Sequence, residues 1–245
     1  MIPFSDPSQP DRIFPVVNIG LIVVNFLVFF YELSLEAQGT SVFNAFVFHY
    51  GLVPCEYTAH CHPYAGTPAP FEVTLLTSMF MHGGWLHILG NMVFLWVFGD
   101  NIENAMGHLR YLLFYLLCGL AANGLEIATA VGSSVPGLGA SGAIAGVLGA
   151  YLMLFPRARI GTLIPITFIF LPIRLPAWVL IGFWFILQFI NGVAVLSNTA
   201  AQSQGGVAYW AHVGGFVAGA ILIWVFRQKH RVTPLQAYHS SFGRT

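Results

Sequence analysis

Charge is what this sequence has least of. Only 7% of its 245 residues are Asp, Glu, Lys or Arg, while 57% are hydrophobic, and mean hydropathy is +0.75. Soluble domains carry about 25% charged residues, so this set cannot cover an aqueous globular surface. The charges also cancel, to a formal net charge of 0. With no glycine-rich phosphate loop and no basic, aromatic-rich patch, nothing here points to nucleic acid. What remains is an integral membrane protein.

Its apolar runs are about as long as a membrane-crossing helix requires. They lie at about 14–33, 79–99, 110–130, 140–155, 176–196 and 207–226. The stretch 160–173 is apolar but short, and Pro165 and Pro172 interrupt it, so it reads as a membrane-surface connection. The expected architecture is an all-α membrane protein, a six-helix bundle over 14–226 with a long outer loop at about 34–78. A short segment, 1–13, precedes it and a polar tail, 227–245, follows. The first run lacks a basic leader and a small-residue cleavage site, so it is expected to be retained.

Basic residues orient the bundle. Arg12, Arg110, Arg157, Arg159, Arg174, Arg227, Lys229, Arg231 and Arg244 all fall on one side of six spans, and 34–78, 131–139 and 197–206 hold none. The positive-inside rule puts both termini in the cytoplasm.

Of three cysteines, Cys55 and Cys61 lie in the long outer loop and Cys118 inside the third run. An oxidising exterior allows a Cys55–Cys61 disulfide. The adjoining His60 and His62 leave a metal as the alternative, though no second ligand pair accompanies them. Cys118 reads as a small packing residue.

Polar side chains inside apolar runs are costly and often functional. In this topology His82, His87 and Asn91 occupy the outer half of the second run, Ser141 opens the fourth, and His212 lies near the outer end of the sixth. His87 and Asn91 are four apart and share a helix face. A serine hydroxyl needs a base to become a nucleophile, and histidine suits that task. Acyl transfer also needs donors aimed at the oxyanion. The Ser141 N–H at a helix start, with His87 and Asn91, can supply them. Gly137 and Gly139 permit a tight turn before Ser141. Gly142 with Gly146, and Gly215 with Gly219, form small-xxx-small faces that let two helices approach closely. Each feature also has a plain structural reading: an N-cap serine, a packing histidine, a common helix-packing motif. His82 reads as a structural hydrogen-bonder, and Asn123 and Glu126 as residues near the outer interface.

Taken together, HGGWLHILGN (82–91), GASG (139–142) and AHVGGF (211–216), with GDNIE (99–103) after the second run, resemble the rhomboid family of intramembrane serine proteases. The resemblance covers essentially the whole six-helix core. It implies Ser141 as nucleophile and His212 as general base, a dyad without an orienting acid, with His87, Asn91 and Ser141 around the oxyanion. Glu103 matches a family glutamate that ties down the cytoplasmic loop after the second helix. Gly139, Gly142 and Gly215 are structural. The implied activity is cleavage of peptide bonds in or near the transmembrane segments of protein substrates in the lipid bilayer, without metal or cofactor. The second and fifth runs, with Phe183, Trp184 and Gln188 on the fifth, are candidates for a lateral gate, and a bacterial inner membrane is the expected location, with an organelle as the alternative.

Two departures stand out. Segment 38–78 has neither the Trp nor the Arg that many bacterial members carry there. Ala145 occupies a position where some members stack an aromatic ring on the histidine, with Tyr209 or Trp210 as replacements. The competing reading is a non-catalytic rhomboid-like protein that binds membrane clients. Such relatives usually lack the Ser or the His. A transporter would spread its polar residues through the midplane.

Overall fold

The computed structural model describes residues 1–7, 13–68, 71–166, 169–196 and 207–232. Arg12, Arg244, the 197–206 loop and most of the C-terminal tail therefore lie outside the described residues. The chain is mostly helical. Long helices α1 (Val16–Gln38), α5 (Trp85–Met106), α6 (His108–Thr129), α7 (Ser141–Leu154), α8 (Ala177–Leu196) and α9 (Tyr209–Phe226) form the bundle. The outer segment folds as α2 (Thr40–Tyr50) and the single turns α3 (Pro54–Tyr57) and α4 (Thr74–Thr77).

Among the described residues, α1, α6, α8 and α9 are long and apolar enough to cross a membrane. They turn large apolar side chains outward, including Leu27, Phe30, Ile186, Ile190, Ile221 and Val225. In water such a surface would aggregate; in lipid it is the appropriate face. The chain is an integral multi-pass membrane protein.

The second run begins and ends later than expected. Gly83 and Gly84 precede the helix, and Gly84 has φ +152, which delays its start to Trp85. The helix then continues through GDNIE to Met106. Glu103 is therefore in the helix and not in a following loop, which corrects the sequence reading. Its carboxylate accepts the backbone N–H groups of Val17 and Asn18 at the start of α1. It also contacts His108 Nδ1 at 2.5 Å. A charge at this position is tolerated because it satisfies orphan donors of another helix.

The membrane bundle is all-α as expected, and beside it the chain carries one small antiparallel sheet. Strands β1 (Ile2–Ser5), β2 (Arg159–Ile166) and β3 (Ile169–Pro176) lie in that order. The connection at 160–173 is thus a hairpin, with Gly161 opposite Arg174 and Pro165 opposite Phe170. Proline bars a helix here. Pro165 lies beyond the part of β2 that pairs with β1, which ends at Leu163, so the ladder loses little. Asp6 then ties the N-terminal segment to the bundle, accepting hydrogen bonds from Asn101 and from Tyr151 Oη.

The α5–α6 turn, the α7–α8 hairpin and the C-terminal segment gather at one end. There Gln228 N donates to Ala105 O at 2.7 Å, and Ile13 N donates to Asn104 Oδ1 at 2.9 Å. The opposite end carries α2–α4 and the 130–140 loop, joined by paired bonds between Leu52 and Gly137. Cys55 and Cys61 are disulfide-bonded there, which selects one of the two readings that the sequence left open. His60 Nδ1 turns to Thr58 O at 2.7 Å.

Candidate active site

The floor of the site is α7. All residues from Gly142 to Tyr151 are buried. At 14 residues and about 1.5 Å rise per residue, α7 is too short to cross a hydrocarbon core about 30 Å thick. It lies inside the bundle, so its first residue can sit below the membrane surface.

Glycine brings α9 against it. A β-carbon at Gly215 would overlap the carbonyl oxygen of Gly142, and one at Gly219 would overlap that of Gly146. Gly142 faces Ala122, and Gly146 faces Cys118, which completes the close packing of α6, α7 and α9. No larger residue is compatible with this backbone separation.

That packing brings Ser141 and His212 together. Ser141 Oγ lies 2.8 Å from His212 Nε2. The N-cap of α7 is Ala140, and no side chain caps the helix. The serine is therefore the first helical residue, and its hydroxyl is directed to the histidine instead of to the backbone. The first backbone bond of this ladder runs from Ile144 N to Ala140 O, so the Ser141 N–H stands ahead of it.

The turn before Ser141 is fixed by Gly139, whose N–H donates to Ser78 O at 2.9 Å. Gly139 has φ +128, and a β-carbon there would lie 2.7 Å from His87 Nε2. Conformation and space both demand glycine. His87 thus borders the turn that carries the serine.

Asn91 is buried one turn farther along α5, and its Nδ2 lies 3.0 Å from His82 Nε2. His82 precedes α5 and is not on it, another consequence of the later helix start. Its backbone N–H is held by Glu32 of α1, at 3.1 and 3.2 Å to the two carboxylate oxygens. The His82 and His87 rings meet edge to face, 5.0 Å apart. Ser141, His212, His87 and Asn91 thus come from α7, α9 and α5, while Glu103 lies at the far end of the bundle.

Two further side chains reach the histidine. His212 Nδ1 lies 2.8 Å from Gln188 Oε1, and the Trp184 ring lies 5.6 Å from the imidazole. Both residues were expected at a lateral gate; Phe183, beside them, is exposed. Trp210 and Tyr209 do not stack on the imidazole: Trp210 Nε1 donates to Gly192 O, and its ring meets Phe189. Glu126 of α6 accepts the N–H of Ala211 at 3.1 Å, and Asn123 donates to Leu75 O at 2.7 Å. A lone glutamine in an apolar run is the one sequence signal that pointed to Gln188, but its partner depends on how α8 is rotated.

The sequence is similar to known proteins. Residues 71–229 match the Rhomboid domain family model. Rhomboid protein 1, mitochondrial, of Saccharomyces cerevisiae is 30% identical over 173 residues, covering 68% of this chain and 46% of the yeast protein. The human presenilin-associated rhomboid-like protein, mitochondrial, is 30% identical over 166 residues, or 64% of this chain and 38% of that protein. Rhomboid protease GluP of Bacillus subtilis is 44% identical over 78 residues, 32% of this chain and 15% of its own length. The chain spans about half or less of the length of these relatives.

Proposed function

Since the chain belongs to the rhomboid family, we propose that it is an intramembrane serine endopeptidase acting on transmembrane protein substrates within the lipid bilayer. The observation that carries this reading is the 2.8 Å contact between Ser141 Oγ and His212 Nε2. A nucleophile within hydrogen-bond reach of its base is the geometry that acyl transfer requires.

In this mechanism His212 Nε2 takes the proton of Ser141 as its Oγ attacks the substrate carbonyl carbon. The oxygen that becomes negative is stabilised by the Ser141 N–H, His87 and the free N–H of the Asn91 amide. His212 then gives its proton to the leaving amine, and the C–N bond breaks to leave an acyl-enzyme on Ser141. Water, deprotonated by the same histidine, releases the acid. A substrate helix must unwind to present its peptide bond, which favours helix-breaking residues at the cleavage site.

We place the six-helix domain over 14–226 in the membrane, with α7 enclosed by the longer helices and both termini cytoplasmic. The basic residues at the α5–α6, α7–α8 and C-terminal end support this orientation. Residues 1–13 and 227–245 are then cytoplasmic segments. The compact core fits a bacterial inner membrane, and fractionation of the native host reads its location directly.

The test needs no substrate. Detergent-solubilised wild type, Ser141→Ala and His212→Ala are treated with a fluorophosphonate probe. Labelling of wild type alone is expected. Equal labelling of all three would move the nucleophile elsewhere. Absence of labelling in folded protein that admits the probe would favour a non-catalytic binding role.

A further inference from the structure

A Ser–His pair leaves one side of the imidazole unexplained. If Nε2 is to accept the serine proton, Nδ1 must carry a hydrogen, and the ring must be kept from rotating about its side-chain bonds. In many serine hydrolases an acid does both. Among the described residues, Gln188 does what an acid would do here, because its Oε1 lies 2.8 Å from His212 Nδ1.

The chemistry of that contact is specific. With Oε1 facing the ring, the amide accepts the Nδ1 hydrogen and leaves the Nε2 lone pair directed at Ser141 Oγ. Trp184, one turn before Gln188 on α8, lies beside the same ring, 5.6 Å between centroids and tilted by 37°. One helix edge therefore meets the imidazole with both a hydrogen-bond acceptor and an aromatic ring. Ala145, on the buried α7, has no ring to offer, so the aromatic contact comes from α8.

The position of Gln188 strengthens the case. Helix α8 is an apolar, sparsely buried helix of the bundle. A carboxamide there is costly in lipid unless it is paired, and its oxygen is paired with the histidine. Packing alone would be served better by leucine or methionine at this position.

We propose that Gln188 is a positioning residue for His212, setting its tautomer and ring orientation so that Ser141–His212 operates as a Ser–His–Gln relay of neutral groups. This rests on the reading of Ser141 as nucleophile and His212 as base. Gln188 touches neither the substrate nor the serine. Its carbonyl oxygen also stabilises the imidazolium that forms when the serine proton is taken, though less than a carboxylate would.

The test compares wild type, Gln188→Met and Gln188→Glu, with Ile190→Ala, an outward-facing residue of the same helix, as a control. The rate of fluorophosphonate labelling at Ser141 is measured across pH, alongside thermal unfolding in detergent. Methionine keeps the shape and removes the acceptor, whereas glutamate keeps the acceptor and adds charge. Other titratable groups near the ring, His87 from α5 and Glu126 from α6, are the same in every variant. Differences between the profiles therefore report position 188.

Gln188→Met is expected to slow labelling about tenfold or more, with unfolding little changed. Gln188→Glu should recover most of the rate and move the acid limb of the profile to higher pH, because a carboxylate beside Nδ1 favours the protonated ring. Ile190→Ala should match wild type in both rate and profile. Wild-type labelling of Gln188→Met, or equal losses in Met and Glu with an unmoved profile, would overturn the proposal and reduce Gln188 to packing. Failure of wild type to label at Ser141 would instead overturn the nucleophile assignment, and this role with it.

Discussion

The Glu103 carboxylate accepts the backbone N–H of Asn18 at 2.7 Å, across 85 positions of sequence, and that of Val17 at 3.0 Å. The Asn18 side chain extends the tie, donating to Leu95 O and accepting from Tyr111 Oη. Helices α1, α5 and α6 are thereby locked at the end of the bundle opposite the candidate site. Glu103→Ala leaves two helix-start donors and the Asn18 network without their anchor. The expected loss is about 3 kcal/mol, from two charge-assisted bonds in a buried setting. Glu103→Gln keeps one acceptor oxygen and should lie between. Thermal unfolding in detergent measures both, and equal stability of all three proteins would contradict the role.

Cys55 and Cys61 are bonded to each other in the loop at the opposite end, and Cys118 is buried between α6 and α7. A membrane-impermeant maleimide should therefore leave intact vesicles unlabelled until a reductant is added. It should then label Cys55 and Cys61 from the face opposite the basic residues. Labelling from the cytoplasmic face would reverse the proposed orientation. Reduction should also cost about 2 kcal/mol of stability by the chain-entropy rule for a loop this short.

Much of the candidate site is legible in the sequence. Ser141 and His212 each follow a glycine-rich or apolar entry at the same end of their helices. The spacings of Gly142 with Gly146 and Gly215 with Gly219 announce the faces that meet. Such features are local, and helical periodicity carries them. Gln188 is different: its polarity was visible, but its partner depends on the rotation of α8 against α9. Rotation is set by side-chain packing, such as Phe185 stacked on Phe216 at 4.3 Å, and not by spacing.

The limits of the helices failed to appear in hydropathy for a related reason. Asp100, Asn101 and Glu103 look like a loop when scored by polarity. Asn101 and Glu103 find their partners far away in sequence, Asp6 for the first and Val17 and Asn18 for the second, so the helix continues through them. The β2–β3 hairpin was hidden likewise, since Pro165 and Pro172 excluded a helix without naming what replaced it. Its third strand comes from Ile2–Ser5, more than 150 residues earlier, which no local signal can convey.

His82 supplies an indirect contribution that can be measured. Its Nε2 receives the Asn91 amide at 3.0 Å and fixes which way that amide points. Asn91→Ala removes the oxyanion donor proposed above and should slow fluorophosphonate labelling about 100-fold or more. His82→Ala leaves the donor but frees its orientation, so a smaller loss, about tenfold, is expected. The double variant should be no slower than Asn91→Ala alone, because His82 acts through Asn91. Additive losses would assign the two residues separate roles.

Gly215 offers the sharpest separation of packing from chemistry. An added methyl there would meet the Gly142 carbonyl oxygen on the helix that begins with Ser141. Neither backbone can yield without moving Ser141 from His212, three positions before Gly215. A displacement of about 1 Å between nucleophile and base is enough to cost about 100-fold in rate. Gly215→Ala is therefore expected to lose labelling of that order and to unfold at lower temperature. Gly20→Ala on α1 is the matched control, because nothing lies within 4 Å of its β-carbon. There the same substitution should leave labelling unchanged and add about 0.5–1 kcal/mol of stability by restricting the unfolded chain. If both variants label like wild type, close approach of α7 and α9 is not what aligns the pair. If Gly215→Ala alone fails, the glycine face of α9 is as necessary to the reaction as the histidine it carries.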